Sequence, residues 1–163
     1  LRDLGAAISP FNAFLIAQGI ETLPLRMRQH TANAKAIAEF LEADPRVGRV
    51  AYAGLPDSPY RDLCAQYLPE GPGAVFCFDL PGGREAGNRF IKALTLFSHL
   101  ANVGDAKSLV IHPASTTHRQ LTDEELAGAG IRPGTIRISV GIEDADDLIW
   151  DLEQGLNAVE EAS

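Results

Sequence analysis

Residues able to do chemistry crowd one stretch, SHLANVGDAKSLVIHPASTTH, which runs from Ser98 to His118. It holds three of the four histidines, His99, His112 and His118, together with Lys107 and a cluster of Ser and Thr hydroxyls. Such a set could bind a metal, pair a nucleophile with its base, or cradle a phosphate. Zinc ligands usually come as tight local pairs such as H-x-x-x-H or beside cysteines, and this stretch has neither. A serine hydrolase needs its nucleophile on a G-x-S-x-G elbow, which is missing from the sequence. Ser115, Thr116 and Thr117 follow Pro113, a position where hydroxyls cap a helix or close a turn. NVGDAKS lacks the phosphate-loop spacing and reads as a strand-to-strand turn at Gly104-Asp105. The histidines are therefore expected to hydrogen-bond to backbone, with no metal ligand and no catalytic group among these residues.

Arg137 offers a different chemistry. In TIRISVGI, Ile136, Ile138, Val140 and Ile142 point to one face of a strand, and Thr135, Arg137, Ser139 and Gly141 to the other. A guanidinium held by a strand, with small neighbours leaving room beside it, can grip a carboxylate through two parallel hydrogen bonds. An arginine on the solvated face of an antiparallel sheet gives the same pattern, and pattern alone leans that way.

The elements that must position these residues follow from local signals. Ser9-Pro10 starts a helix, apolar nearly all round, that Pro24 kinks. It resumes with Met27, Thr31, Ala34, Ile37, Ala38 and Leu41 at helical spacing. Strands are expected near Val47 to Ala53, over GAVFCFDL, in LFSHLA and SLVIH, and over GTIRISVGI. Helices are expected over SPYRDLCAQYL, capped by Ser58, over REAGNRFIKAL, and over TDEELAGAG, where Thr122 and Glu125 form a capping box. A closing helix carries Leu148, Ile149, Leu152, Leu156 and Val159. The order predicts an α+β two-layer fold: a small, largely antiparallel sheet with helices on one side.

Bulk properties narrow the partners. A length of 163 residues fits one domain over 1–163, and the net charge of -8 with no basic patch argues against nucleic acid or an anionic membrane. No apolar run approaches the roughly 20 residues of a membrane span and no signal peptide is evident. Cys64 and Cys77 form no motif and read as free thiols in a reducing cytoplasm. LRDLGAAISP has no initiator Met and reads as cut from a longer polypeptide.

Three long segments, LRDLGAAISPFNAFLIAQGIETLPLRM, HLANVGDAKSLVIHPASTTH and IRISVGIED, come in the order of one known family, as do AYAGLPDSP and GPGAVFCFDLPGG between them. Together they resemble the Cys/Met-metabolism family of pyridoxal-phosphate enzymes, and within it the branch acting on O-acetylhomoserine. The resemblance implies the C-terminal domain of an aspartate-aminotransferase-like, fold type I enzyme that is usually a homotetramer. It implies pyridoxal 5'-phosphate bound by a missing upstream domain. The Schiff-base lysine would lie there too, since Lys35, Lys92 and Lys107 lack its serine-threonine-lysine context. No cofactor-binding residue is expected in this segment, which alone would be inactive. The implied reaction replaces the acetate of O-acetylhomoserine by sulfide or a thiol, giving homocysteine or methionine, with the cofactor as electron sink. The resemblance assigns Arg137 to the substrate's α-carboxylate. It places Asn102-Val103 where many relatives have Ser-Leu, the Ser helping to hold that carboxylate, with Ala101 leaving space for the side chain. Sister activities, methionine γ-lyase or cystathionine γ-synthase, stay open, as does a stand-alone oligomerisation or binding module.

Overall fold

The computed structural model describes residue 5 and residues 7–161; Leu1 to Leu4 of the opening motif lie outside them. Helix α1 (Pro10–Glu21) starts as expected, with Ser9 Oγ accepting the Asn12 N–H at 3.2 Å and Pro10 in its first turn. It buries none of its residues, leaving Phe11, Phe14, Leu15, Ile16 and Ile20 exposed. The helix breaks at Thr22, and Pro24 falls in the first turn of α2 (Leu23–Ala43). Proline has no N–H to give the Ile20 carbonyl, which takes the Thr22 N–H instead. Along α2, Ala34, Ile37, Ala38 and Leu41 are buried as the spacing predicts; Met27 is exposed, and His30 and Asn33 join the buried stripe.

Five short strands form one sheet: β1 (Arg49–Ala51), β2 (Val75–Asp79), β3 (Ser98–His99), β4 (Leu109–Ile111) and β5 (Thr135–Ser139), in the order β1-β2-β5-β4-β3. Pairs β1–β2, β2–β5 and β5–β4 are antiparallel, but β3 pairs parallel to β4. The sheet is mixed, though mostly antiparallel; the segment around Gly104-Asp105 does link strand to strand, but the two strands it joins pair parallel. Parallel neighbours need a return path. Residues 100–108 supply it, and a β3 of only two residues keeps that path short.

One face of the sheet presents Phe76, Phe78, Val110, Ile136 and Ile138, all buried. Against it pack α2, α4 (Gly83–Ala93) and α6 (Ala145–Glu160), which together form the hydrophobic core. Phe90 of α4 meets Phe78 edge to face, with ring centroids 5.5 Å apart. The α4–α6 crossing is close because Gly155 faces Phe90: a Cβ there would lie 2.6 Å from the ring. Expected positions Leu148, Leu152 and Leu156 are buried, and Ile149 and Val159 are partly so. Ile142, expected on the same face as Ile138, is exposed, because β5 ends at Ser139 and the alternation ends with it.

Two short helices decorate this frame. Helix α3 (Arg61–Tyr67) starts later than expected, with Tyr60 at its N-cap; Ser58 Oγ accepts only the Tyr60 N–H, at 3.3 Å. Helix α5 (Asp123–Gly128) has the expected capping box, Thr122 N–H to Glu125 Oε2 at 2.8 Å and Glu125 N–H to Thr122 Oγ1 at 3.3 Å.

Asp151, fully buried on α6, holds the segment between α4 and β3. Its carboxylate accepts from Thr95 N–H and Oγ1–H at 2.8 and 2.9 Å, and from the N–H groups of Leu96 and Phe97, both at 3.0 Å. Asn at 151 would turn an NH2 group toward two buried donors, so Asp151→Asn should cost about 2–4 kcal/mol. Urea unfolding of both proteins measures it, and a change below about 1 kcal/mol would show that these four bonds do not hold the segment.

Candidate functional site

The second face of the sheet carries the candidate site. Strand register lines up Ala51, Cys77, Arg137 and Ile111 in one row across four strands. Arg137 sits at the middle of β5, paired on both sides, so its backbone is fixed from two directions. Its side chain is half-buried and has no hydrogen-bond or ion-pair partner among the described residues. The other half-buried arginines differ. Arg26 reaches Thr22 and the Gly19 carbonyl, Arg46 pairs with Asp44, Arg84 with Asp123, and Arg89 with Glu85. A guanidinium brings five N–H donors and a permanent charge, and leaving it half-desolvated without an acceptor is unfavourable. An arriving carboxylate or phosphate would remove that cost.

Cys77 lies directly across from Arg137. Burial pushes its thiol above the usual range, and the Arg137 charge offsets this only in part. It is therefore a neutral thiol at physiological pH and a poor nucleophile. The room expected beside Arg137 at Ser139 and Gly141 is not there. Ser139 is buried with its hydroxyl unpartnered, and a Cβ at Gly141 would collide with the Glu143 carboxylate and the Ala106 carbonyl. Open space lies along the Cys77 and Ala51 side of the row, where side chains are half-buried or exposed.

Asn102 and Val103 occupy the exposed 100–108 connection. Asn102 Oδ1 accepts the Val103 N–H at 2.9 Å, and no hydrogen bond joins either residue to Arg137. Sequence reasoning missed the residues that hold the end of β5. His30 Nδ1 meets the Val140 carbonyl at 2.6 Å, and Asn33 Nδ2 donates to the carbonyls of Gly141 and Glu143 at 3.1 and 2.7 Å. Their one available signal was polarity on the buried stripe of α2.

The histidine-rich stretch is structural in its contacts. His112 is buried, with Nε2 at 2.7 Å from the Pro133 carbonyl and Nδ1 at 2.8 Å from Ser115 Oγ. Nε2 must donate to that carbonyl, so Nδ1 accepts from the serine. Thr116 Oγ1 donates to the His112 carbonyl at 2.8 Å, and the ring packs on Gly87, where a Cβ would lie 2.7 Å away. His118 Nδ1 lies 2.9 Å from Thr117 Oγ1, and His99 is exposed at its strand end. Among the described residues no group of three or more His, Cys, Asp or Glu is placed to hold a metal. The same residues include no helix long and apolar enough to cross a membrane. Cys64 and Cys77 are both free thiols. A cavity of about 460 Å³ lies at the β1 edge beside Tyr52, Leu55 and Tyr60, away from Arg137.

A family model described as Cys/Met metabolism PLP-dependent enzyme matches residues 1–157. The chain belongs to this family. It is 52% identical over 160 residues to O-acetyl-L-homoserine sulfhydrylase of Leptospira meyeri, covering 98% of this chain and 36% of that enzyme. It is 48% identical to L-methionine gamma-lyase of Pseudomonas putida, over 97% of this chain and 40% of the relative. Among solved structures, cystathionine gamma synthase of Xanthomonas oryzae pv. oryzae, in complex with cystathionine, superposes with a TM-score of 0.87 at 42% identity, covering 99% of this chain and 41% of that one. An O-acetylhomoserine (thiol)-lyase structure from Campylobacter jejuni, holding N'-pyridoxyl-lysine-5'-monophosphate, gives 0.86 at 44%, over 96% of this chain and 37% of that one. The chain thus spans well under half the length of these relatives. The family uses pyridoxal phosphate, yet Lys35, Lys92 and Lys107 are all exposed, and Lys35 pairs with Glu39. The guanidinium of Arg137, unpaired among the described residues, has the chemistry to take an anion.

His112 yields a pH prediction. Burial holds its imidazole below the ordinary 6.5, so the unfolded chain binds this proton more readily than the folded one. The resulting stability is fully present above pH 6.5 and is lost as pH falls below it toward the folded value. Unfolding free energy should therefore decline as pH falls below 6.5 in the wild type, and the decline should flatten in His112→Gln. Equal slopes in the two proteins would assign the dependence to other groups.

Proposed function

We propose that this chain is the C-terminal, substrate-recognising domain of a pyridoxal-phosphate-dependent O-acetylhomoserine sulfhydrylase that replaces acetate by sulfide or a thiol. The observation that carries the reading is the half-buried guanidinium of Arg137, fixed by β5 and free of any protein partner among the described residues. A planar fork in that state suits the α-carboxylate of an amino acid, gripped by two parallel hydrogen bonds. Holding the carboxylate orients the substrate so that its reacting carbon presents one face to chemistry supplied elsewhere. Asn102, on the exposed connection, can donate from its amide to the same substrate once it is bound. The all-exposed lysines support a cofactor held by a segment outside this chain. The apolar surface of α1, with Phe11, Phe14, Leu15 and Ile16 exposed, supports docking onto that segment or a second subunit of a homo-oligomer.

The choice of sulfhydrylase over γ-lyase or γ-synthase follows the 52% identity to the Leptospira enzyme against 48% to the Pseudomonas lyase. All three chemistries share an amino-acid carboxylate, so the anchor serves each. Assay of the full-length polypeptide with O-acetylhomoserine plus sulfide, against methionine alone, separates sulfhydrylase from lyase: homocysteine formation is the expected result, and methionine cleavage without it would move the chain to the lyase branch.

In that polypeptide Arg137→Ala should lower substrate affinity about ten- to hundredfold, the worth of a charge-assisted contact. Arg137→Lys should recover only part, because an ammonium cannot reproduce the fork. Cofactor content, read from the visible spectrum, should not change. Steady-state kinetics checks this, and near-native kcat/KM in Arg137→Ala would place the carboxylate anchor elsewhere.

A further inference from the structure

We infer that Glu143 is a positioning residue that sets the spacing between the Asn102-bearing connection and the Arg137 guanidinium, and so tunes how tightly the substrate carboxylate is held. The inference rests on the reading of Arg137 as that anchor.

The connection from residue 100 to 108 is exposed at its tip, and its internal hydrogen bonds there are local, Val103 N–H to Asn102 and Lys107 N–H to Asp105 Oδ1 at 3.1 Å. Nothing in the tip fixes where it stands relative to β5; the base of the connection does. Ser108 is fully buried and every polar group it has is engaged. Its N–H donates to Glu143 Oε1 at 2.7 Å and its hydroxyl donates to Glu143 Oε2 at 2.9 Å. The same hydroxyl accepts the Gly141 N–H at 2.8 Å, and the Ser108 carbonyl accepts the Ser98 N–H of β3 at 2.9 Å. Ile142 N–H adds a bond to the Ala106 carbonyl at 3.0 Å. One carboxylate thus ties the end of the connection to the residues just after β5, and the Ser98–Ser108 bond passes that tie to β3, where the connection begins.

Glu143 is itself tied to the core. Its carbonyl accepts from Asn33 Nδ2 at 2.7 Å, and Gln29 Nε2 in turn donates to Asn33 Oδ1 at 2.7 Å. Gly141 completes the fit, since any side chain there would strike Glu143 and Ala106. The carboxylate is suited to this task because it is acceptor-only and offers one oxygen to each Ser108 donor. A glutamine would present an NH2 group to one of them. The connection would then stand off from β5, and a substrate bridging Asn102 and Arg137 would meet the two at the wrong separation.

The test is a double-mutant cycle on the full-length holoenzyme. Glu143→Gln should raise KM for the amino-acid substrate about tenfold with kcat within about twofold, and Ser108→Ala, which removes only the hydroxyl links, should move KM the same way. In an Arg137→Ala background the Glu143→Gln effect should shrink to less than about twofold, because the two act on one contact. A merely structural Glu143 would lower thermal stability while leaving KM alone, or would give the same loss in both backgrounds; either result overturns the inference. If Arg137→Ala is itself silent, the carboxylate reading fails and takes the positioning role with it. If Glu143→Gln does not fold, Ser108→Ala alone decides: an unchanged KM overturns the inference.

Discussion

A charged guanidinium held half out of water with no partner among the described residues is the constraint from which the rest of this structure follows. Arg137 must therefore be held by something stiffer than a loop. The chain provides that by placing β5 at the centre of a five-stranded sheet, paired to β2 on one side and β4 on the other. The opposite face of the same strand, Ile136 and Ile138, is sunk in the hydrophobic core. Burying the two isoleucines fixes the strand's register, and with a period of two the register decides that Arg137 points outward.

The helical layer serves the same end. Helix α2 reaches over the exit of β5 with His30 and Asn33, and α6 uses Asp151 to hold the segment that leads into β3. All three are buried polar groups with hydrogen-bond partners, the condition under which such groups rigidify a core instead of weakening it. The site face, by contrast, is left incomplete. It has an anion-seeking charge, an exposed connection and no lysine drawn inward, and α1 exposes its apolar residues to water. A lobe that recognises one end of a substrate while another segment supplies the chemistry would have this division between a finished core and an unfinished face.

Much of the fold was legible in the sequence because it rests on local signals. The caps at Ser9 and Thr122, the alternation Phe76-Phe78 and Ile136-Ile138, and the Leu148-Leu152-Leu156 stripe each follow from the chemistry of a few neighbouring residues. What was not legible is long-range. LFSHLA and SLVIH read as two strands joined by a turn, and their parallel pairing was not legible, since sequence gives strand positions but not the direction of pairing. Gly141 read as open space, whereas its missing side chain admits a carboxylate from Glu143 and a carbonyl from Ala106. His30, Asn33 and Asp151 carried no local signal of their roles, because their partners lie far away along the chain. At the site, the face on which Arg137 stands was readable from the alternation, but its lack of a partner among the described residues could be seen only with their side chains in place.

The central claim is that Arg137 waits for a carboxylate, and altering the ligand tests it most directly. Binding of an unreactive amino-acid analogue to the full-length holoenzyme can be compared with that of its α-carboxamide, which keeps shape and side chain but loses the charge. The account predicts that the carboxamide binds about ten- to hundredfold more weakly, with the difference shrinking at high salt if the contact is partly open to solvent. Equal affinity for acid and amide would contradict it.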